Sequence, residues 1–167
     1  MALTLHGTVS DNTDLQIASN NNTPIFAVEL SGTQTISDAT ITKIAYDTEE
    51  VDTDDAFDSS TNYRLTVPTG KAGKYKFDVF VRVDSNTSND LRSALIYLYK
   101  NGVNSKVANN NYSTNDPRAD TLNLSCILDL SVGDYIEIYA NVNSIDNGTI
   151  SLNGGVYTQF CGHRLIG

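Results

Sequence analysis

The residues with the greatest chemical potential in this chain are carboxylates. Asp47, Glu49, Glu50, Asp52, Asp54, Asp55 and Asp58 fall within one short stretch, and oxygen-rich loops of this kind bind hard cations such as calcium. The spacing departs from the helix-loop-helix calcium template. Counted from Asp52, position six is Phe57 where that loop requires Gly, and position twelve is Tyr63 where it requires a bidentate Glu. The stretch reads instead as a solvated acidic turn, with calcium the disfavoured alternative and no cofactor expected. Paired carboxylates also cleave glycosidic bonds, but the general acid needs an apolar pocket to raise its pKa. No carboxylate here sits in such a setting. The only histidines are His6 and His163, and Cys126 and Cys161 have no partner in a nucleophile or zinc pattern. GxSxG, HExxH and phosphate-cradling glycine motifs are absent. No enzymatic activity is expected.

Composition narrows the class further. The 167 residues carry a formal charge of −9, which opposes sequence-independent nucleic-acid binding, since that depends on clustered Lys and Arg. No apolar run approaches the ~18 residues of a membrane span, so no membrane insertion is expected. Asp far outnumbers Glu, Asn, Ser and Thr are abundant, and helix-favouring stretches are missing, which predicts strands and turns. A single core of this size needs no staple, so Cys126 and Cys161 read as buried free thiols. Met1 to His6 lacks the basic and apolar regions of a secretory signal, giving the expectation either of use without export or of a leader already removed. The Asn-x-Ser/Thr triplets at Asn86, Asn111 and Asn147 are then expected to carry no glycan. His163 reads as a surface or partly packed side chain.

Strand periodicity places the remaining residues. Tyr75 to Asp84 alternates cleanly, with odd positions apolar, and Phe80 alone interrupts the polar face. Leu122–Leu130 and Tyr135–Val142 alternate with even positions inward, and the turn Ser131–Asp134 between them predicts a hairpin. Leu95–Tyr99 is apolar on both faces, as in a central or interface strand. Further strands are expected over 25–30, 40–46, 63–67, 104–108, 149–152 and 157–165. About ten short strands predict an all-β, two-sheet antiparallel jelly-roll sandwich. Two polar stretches, 84–90 and 109–120, read as surface loops, and Tyr112 and Arg118 are their best-suited ligand-contacting side chains.

Several segments resemble a known family. An acidic turn precedes a strand stopping at Val67-Pro68 and a Gly73-Lys74-Tyr75 strand start. Leu98–Gly102 is similar to an L-x-x-N-G hairpin, Leu130–Tyr135 to L-x-x-GD-x-V/I, and Phe160–Ile166 to a closing F-x-G-x-L-I. In this order they resemble the globular head of the C1q/tumour necrosis factor family. The resemblance implies a homotrimer, in some heads with calcium near the trimer axis. Nine Tyr and five Phe without Trp exceed the needs of one sandwich interior, so Tyr97, Tyr99, Tyr139, Tyr157 and Phe80 are the expected trimer-interface residues.

The chain divides into residues 1–23, an expected N-terminal anchoring arm, and residues 24–167, the head. No Gly-X-Y stalk occurs. The opening LTLHGTVSDNT is similar to starts of bacteriophage structural proteins. The expected role is a virion structural protein on a capsid or tail surface: a decoration, knob or fibre protein docked on other virion proteins through residues 1–23. A tail-fibre tip that recognises a host surface glycan or protein receptor, and a secreted C1q-like ligand or lectin-like module, are the alternatives.

Overall fold

The computed structural model describes residues 22–86 and 89–165; all but the end of the expected arm lies outside them. The strands are β1 (Ile25–Glu29), β2 (Gln34–Ser37), β3 (Thr42–Lys43), β4 (Thr48–Asp52), β5 (Phe57–Asp58), β6 (Arg64–Thr66) and β7 (Gly73–Asp84). They continue with β8 (Leu91–Lys100), β9 (Val103–Asn111), β10 (Ala119–Leu130), β11 (Tyr135–Ser144), β12 (Thr149–Leu152) and β13 (Thr158–Arg164). All pairings are antiparallel and form two sheets. Sheet A runs β2-β12-β7-β13-β1-β4, with β10 on the other edge of β7; sheet B runs β5-β6-β11-β8-β9, with β3 also on β11. This is the two-layer sandwich expected, with three strands beyond the ten, namely β2, β4 and β5.

The period-two patterns point as read. Tyr75, Phe77, Val79, Val81 and Val83 are buried from sheet A, and Ile136, Ile138, Ala140 and Val142 face them from sheet B. Between the layers Phe26, Phe57, Phe77 and Phe160 form an aromatic centre in which Phe26 and Phe160 meet edge-on at 4.8 Å. The β8–β9 hairpin turns at Asn101 (φ 53°) and Gly102 (φ 75°), both left-handed as a two-residue turn matched to strand twist requires.

One pairing differs from expectation. Leu122–Leu130 and Tyr135–Val142 do not form a hairpin: β10 pairs with β7 in sheet A, whereas β11 pairs with β8, β6 and β3 in sheet B. Ser131–Asp134 therefore carries the chain across the sandwich. Alternation fixes which side chains turn inward, and both strands satisfy it from opposite layers.

Candidate binding surfaces

The turn at residues 131–134 locks three connections together. Asp134 accepts hydrogen bonds from Ser131 N (2.8 Å) and Asn101 Nδ2 (2.7 Å) and pairs with Lys100 Nζ at 2.8 Å. Its backbone carbonyl accepts Val67 N at 2.9 Å. Lys100 first, then the Asn101 amide and the Ser131 N–H, hold the carboxyl down to about 2. Because the folded value lies below the ordinary 3.8, this contribution is complete above about pH 4 and is lost as pH falls through about 2. Asp134→Asn should cost about 1–2 kcal/mol at pH 7 in urea denaturation and flatten the stability profile between pH 4 and 2.

The acidic stretch is more ordered than a solvated turn. Residues 48–52 form the edge strand β4 against β1. Asp52 accepts Phe57 N at 2.8 Å, Asp54 pairs with Lys71 at 3.1 Å, and Asp47 accepts Ser31 N and Oγ at 2.6 Å each. Asp58 accepts N–H groups of Ser60, Thr61 and Asn62 and the Asn62 amide. The Thr61 N–H and the Asn62 side chain lead in holding its carboxyl well below the usual range. An open cleft of about 520 Å³ is lined by Glu49, Asp54, Asp55, Phe57, Asp58 and Ser59 among others. Among the described residues, no three His, Cys, Asp or Glu side chains group to hold a metal ion.

The five expected interface residues fall on two opposite faces. Tyr97, Tyr99 and Tyr139 stand together on the outer face of sheet B, half-buried, with Tyr99 and Tyr139 centroids 4.5 Å apart and Tyr97 and Tyr99 6.2 Å apart. Phe80 and Tyr157 belong to the sheet A side. Phe80 lies half-buried on that sheet's outer face, opposite Asn123 and Gln159, and Tyr157, 54% exposed, packs its ring under the Arg82 guanidinium at 5.5 Å. Sequence alternation identifies outward positions but not which sheet bears them. An ion pair with no sequence signature joins this face: Lys43 pairs with Glu137, a carboxylate only 6% exposed, beside Tyr139. Lys43 and Glu137 lie far apart in sequence, and only the β3–β11 register unites them.

The two polar stretches do converge at one end. Arg118 pairs with Asp84 at 3.2 Å, Ser85 N donates to Arg118 O, and Leu91 N donates to Pro117 O. The second loop is shorter than read, because β9 extends to Asn111 and β10 starts at Ala119. Tyr112 is half-buried against the core, its hydroxyl donating to Asp120, which also accepts Asn110 Nδ2 at 2.6 Å. Burial, then the Asp120 contact, push its phenol up. Tyr112 thus pegs the loop base, while Arg118 projects with its side chain 59% exposed.

Cys126 and Cys161 are unbonded and half-buried rather than fully enclosed, and burial leads in raising both thiols. His163 is half-buried opposite Ile25 and Lys76.

The two-layer antiparallel sandwich has counterparts among solved structures. The globular domain of zebrafish complement 1qA protein aligns with TM-score 0.58 at 16% identity, over 85% of this chain and 97% of that one. Eiger TNF from S. frugiperda aligns with TM-score 0.53 at 14% identity, over 85% and 93%. Murine APRIL aligns with TM-score 0.54 at 14% identity, over 84% and 99%. The fold is that of the C1q/tumour necrosis factor heads. No protein-family model matches the sequence, and no curated protein matches it.

Proposed function

We propose that this chain is a non-enzymatic binding head that works as a homotrimer. The observation that carries this is the open side of the sandwich, where the edge strands β9 and β10 lie in contact. Inward positions elsewhere are almost fully buried, yet Ala108 on β9 and Cys126 and Leu128 on β10 are only half-buried. Val107 and Ile127 flank this seam, 52% and 56% exposed. An apolar strip along two free edges is costly in water and invites pairing. A second copy laid over the seam completes the core, and repetition by a threefold axis closes the ring. Edge-on-face packing of this kind brings the seam of one protomer to the outer face of sheet A on the next, where Phe80 and Tyr157 stand. Domains of this fold are usually trimeric ligand or binding modules, which supports the same reading.

Sedimentation velocity at micromolar concentration should give three times the monomer mass. Ile127→Asp and Phe80→Asp should each yield folded monomer. A monomeric wild-type chain, or both variants remaining trimeric, overturns the proposal.

We place the head on a virus particle as a decoration or fibre protein, held by other virion proteins through residues 1–23. The support is the likeness of the opening segment to bacteriophage structural proteins. A secreted ligand fits the same head. Deleting residues 2–22 separates the two: loss of co-purification with particles, with the trimer intact, supports the virion reading. Unchanged incorporation removes the anchoring role of that segment.

A further inference from the structure

The outer face of sheet B has a composition unlike the rest of the surface. Residues directly opposite in an antiparallel sheet point to the same side, so the register fixes its layout. One row across β3, β11, β8 and β9 reads Lys43, Tyr139, Tyr97, Val107; the next reads Glu137, Tyr99, Asn104; a third reads Asn141, Leu95, Asn109. Three tyrosines packed against one another are thus bordered by the amides of Asn104, Asn109 and Asn141.

Three properties limit what can dock there. The rings are held in place by mutual contact, Tyr97 edge-on to Tyr99 at 6.2 Å and Tyr139 tilted 41° to Tyr99 at 4.5 Å, so a stepped aromatic surface exists before any ligand arrives. Lys43 and Glu137 neutralise each other, which leaves these rows without net charge on a chain of −9. A phosphate or sulfate meets no uncommitted cation in them, and a cationic ligand meets no uncommitted carboxylate. Finally, among the described residues no hydrogen bond engages the Tyr97 or Tyr99 hydroxyl, and the neighbouring amides each offer a donor and an acceptor. An extended hydrophobic partner would leave these polar groups unpaired.

A ligand that matches individual tyrosine ring faces, a fringe of amides and zero net charge is a neutral pyranose. One face of the ring presents C–H groups, and its rim presents hydroxyls that both donate and accept. We infer that the outer face of sheet B is a neutral-carbohydrate site, with Tyr97 and Tyr139 each offering a ring face for stacking and Asn104, Asn109 and Asn141 as hydrogen-bonding partners. The site's residues belong to one protomer and stand on the outer face of sheet B, which meets the seam only at its β9 border, where Val107 lies. It deepens the binding-head reading, and three copies in a trimer would raise avidity for a repeating glycan.

The test uses the full chain labelled with 3-fluorotyrosine, whose nine tyrosines report by fluorine NMR. The probes are methyl glycosides of glucose, galactose, mannose and N-acetylglucosamine, together with maltohexaose, cellohexaose and chitohexaose. At least one probe should shift the Tyr97, Tyr99 and Tyr139 resonances selectively. Tyr97→Ala and Tyr139→Ala should each weaken that binding about tenfold while leaving the trimer unchanged. Monomeric Ile127→Asp should still bind the single-ring probe, so failure of the trimer and failure of the sugar site are distinguishable. No selective shift with any probe, shifts spread over all nine resonances, or loss of the trimer in Tyr97→Ala each overturns the inference.

Discussion

Phe160→Ala is expected to destabilise the protein by about 4 kcal/mol, a large share of a typical domain's 5–15 kcal/mol. Phe160 is 1% exposed on β13 and touches rings from both layers. Phe26 meets it at 4.8 Å, Phe77 at 5.8 Å, Tyr46 at 5.9 Å and Phe57 at 6.1 Å. Phe26 and Phe77 come from sheet A, whereas Phe57 comes from sheet B. Removal of the ring leaves a cavity where the two sheets meet, and collapse to fill it would drag paired strands out of register. Urea denaturation should show a lower midpoint with an unchanged m-value. Phe160→Leu, which keeps most of the volume, should lose roughly 1–1.5 kcal/mol. Equal losses for the two variants would mean that edge-on ring geometry, not volume, controls the centre.

Such a centre could be anticipated because burial leaves a periodic trace. Tyr75 to Asp84 alternates without error on its inner face, and Asn101-Gly102 marks the β8–β9 turn by its need for positive φ. Other strands left no trace. Gln34–Ser37 has only Ile36 to bury, and Thr48–Asp52 lies at an edge with Glu49, Glu50 and Val51 exposed. Their strand state comes from hydrogen bonding to β12 and β1, which is long-range information. The same limit applies to the surfaces. Tyrosine positions predict outward-facing aromatics, but those residues divide between two opposite faces, because period two is blind to sheet membership. The open seam was invisible for a related reason: Cys126 and Leu128 follow the inward pattern as faithfully as Leu122 and Leu124. What distinguishes them is the lack of a fully covering strand beyond β9 and β10.

Gly162→Ala should cost about 2–3 kcal/mol, more than most single-methyl additions, because the position has no room and one obstacle is backbone. A Cβ there would lie 2.7 Å from Phe77 Cδ1, 2.8 Å from the Lys76 carbonyl oxygen and 2.9 Å from Phe26 Cε1. The residue is not among the positive-φ glycines, so the loss is steric rather than conformational. Rings can rotate aside, but the Lys76 carbonyl belongs to the β7 strand that pairs with β13 at this point. Relief would require β13 to separate from β7, and β13 joins β7 to β1 in the middle of sheet A. A double-mutant cycle with Phe77→Leu isolates the two contributions. Partial recovery in the double variant identifies the ring clash, and the residue that persists measures the backbone contact. Full recovery would show that the strands tolerate a methyl between them. Because Cys161 and His163 flank Gly162 on the outer side of sheet A, a β13 shift should also weaken the trimer. A stable trimer in a destabilised Gly162→Ala protein would argue that the next protomer does not seat on this part of the sheet.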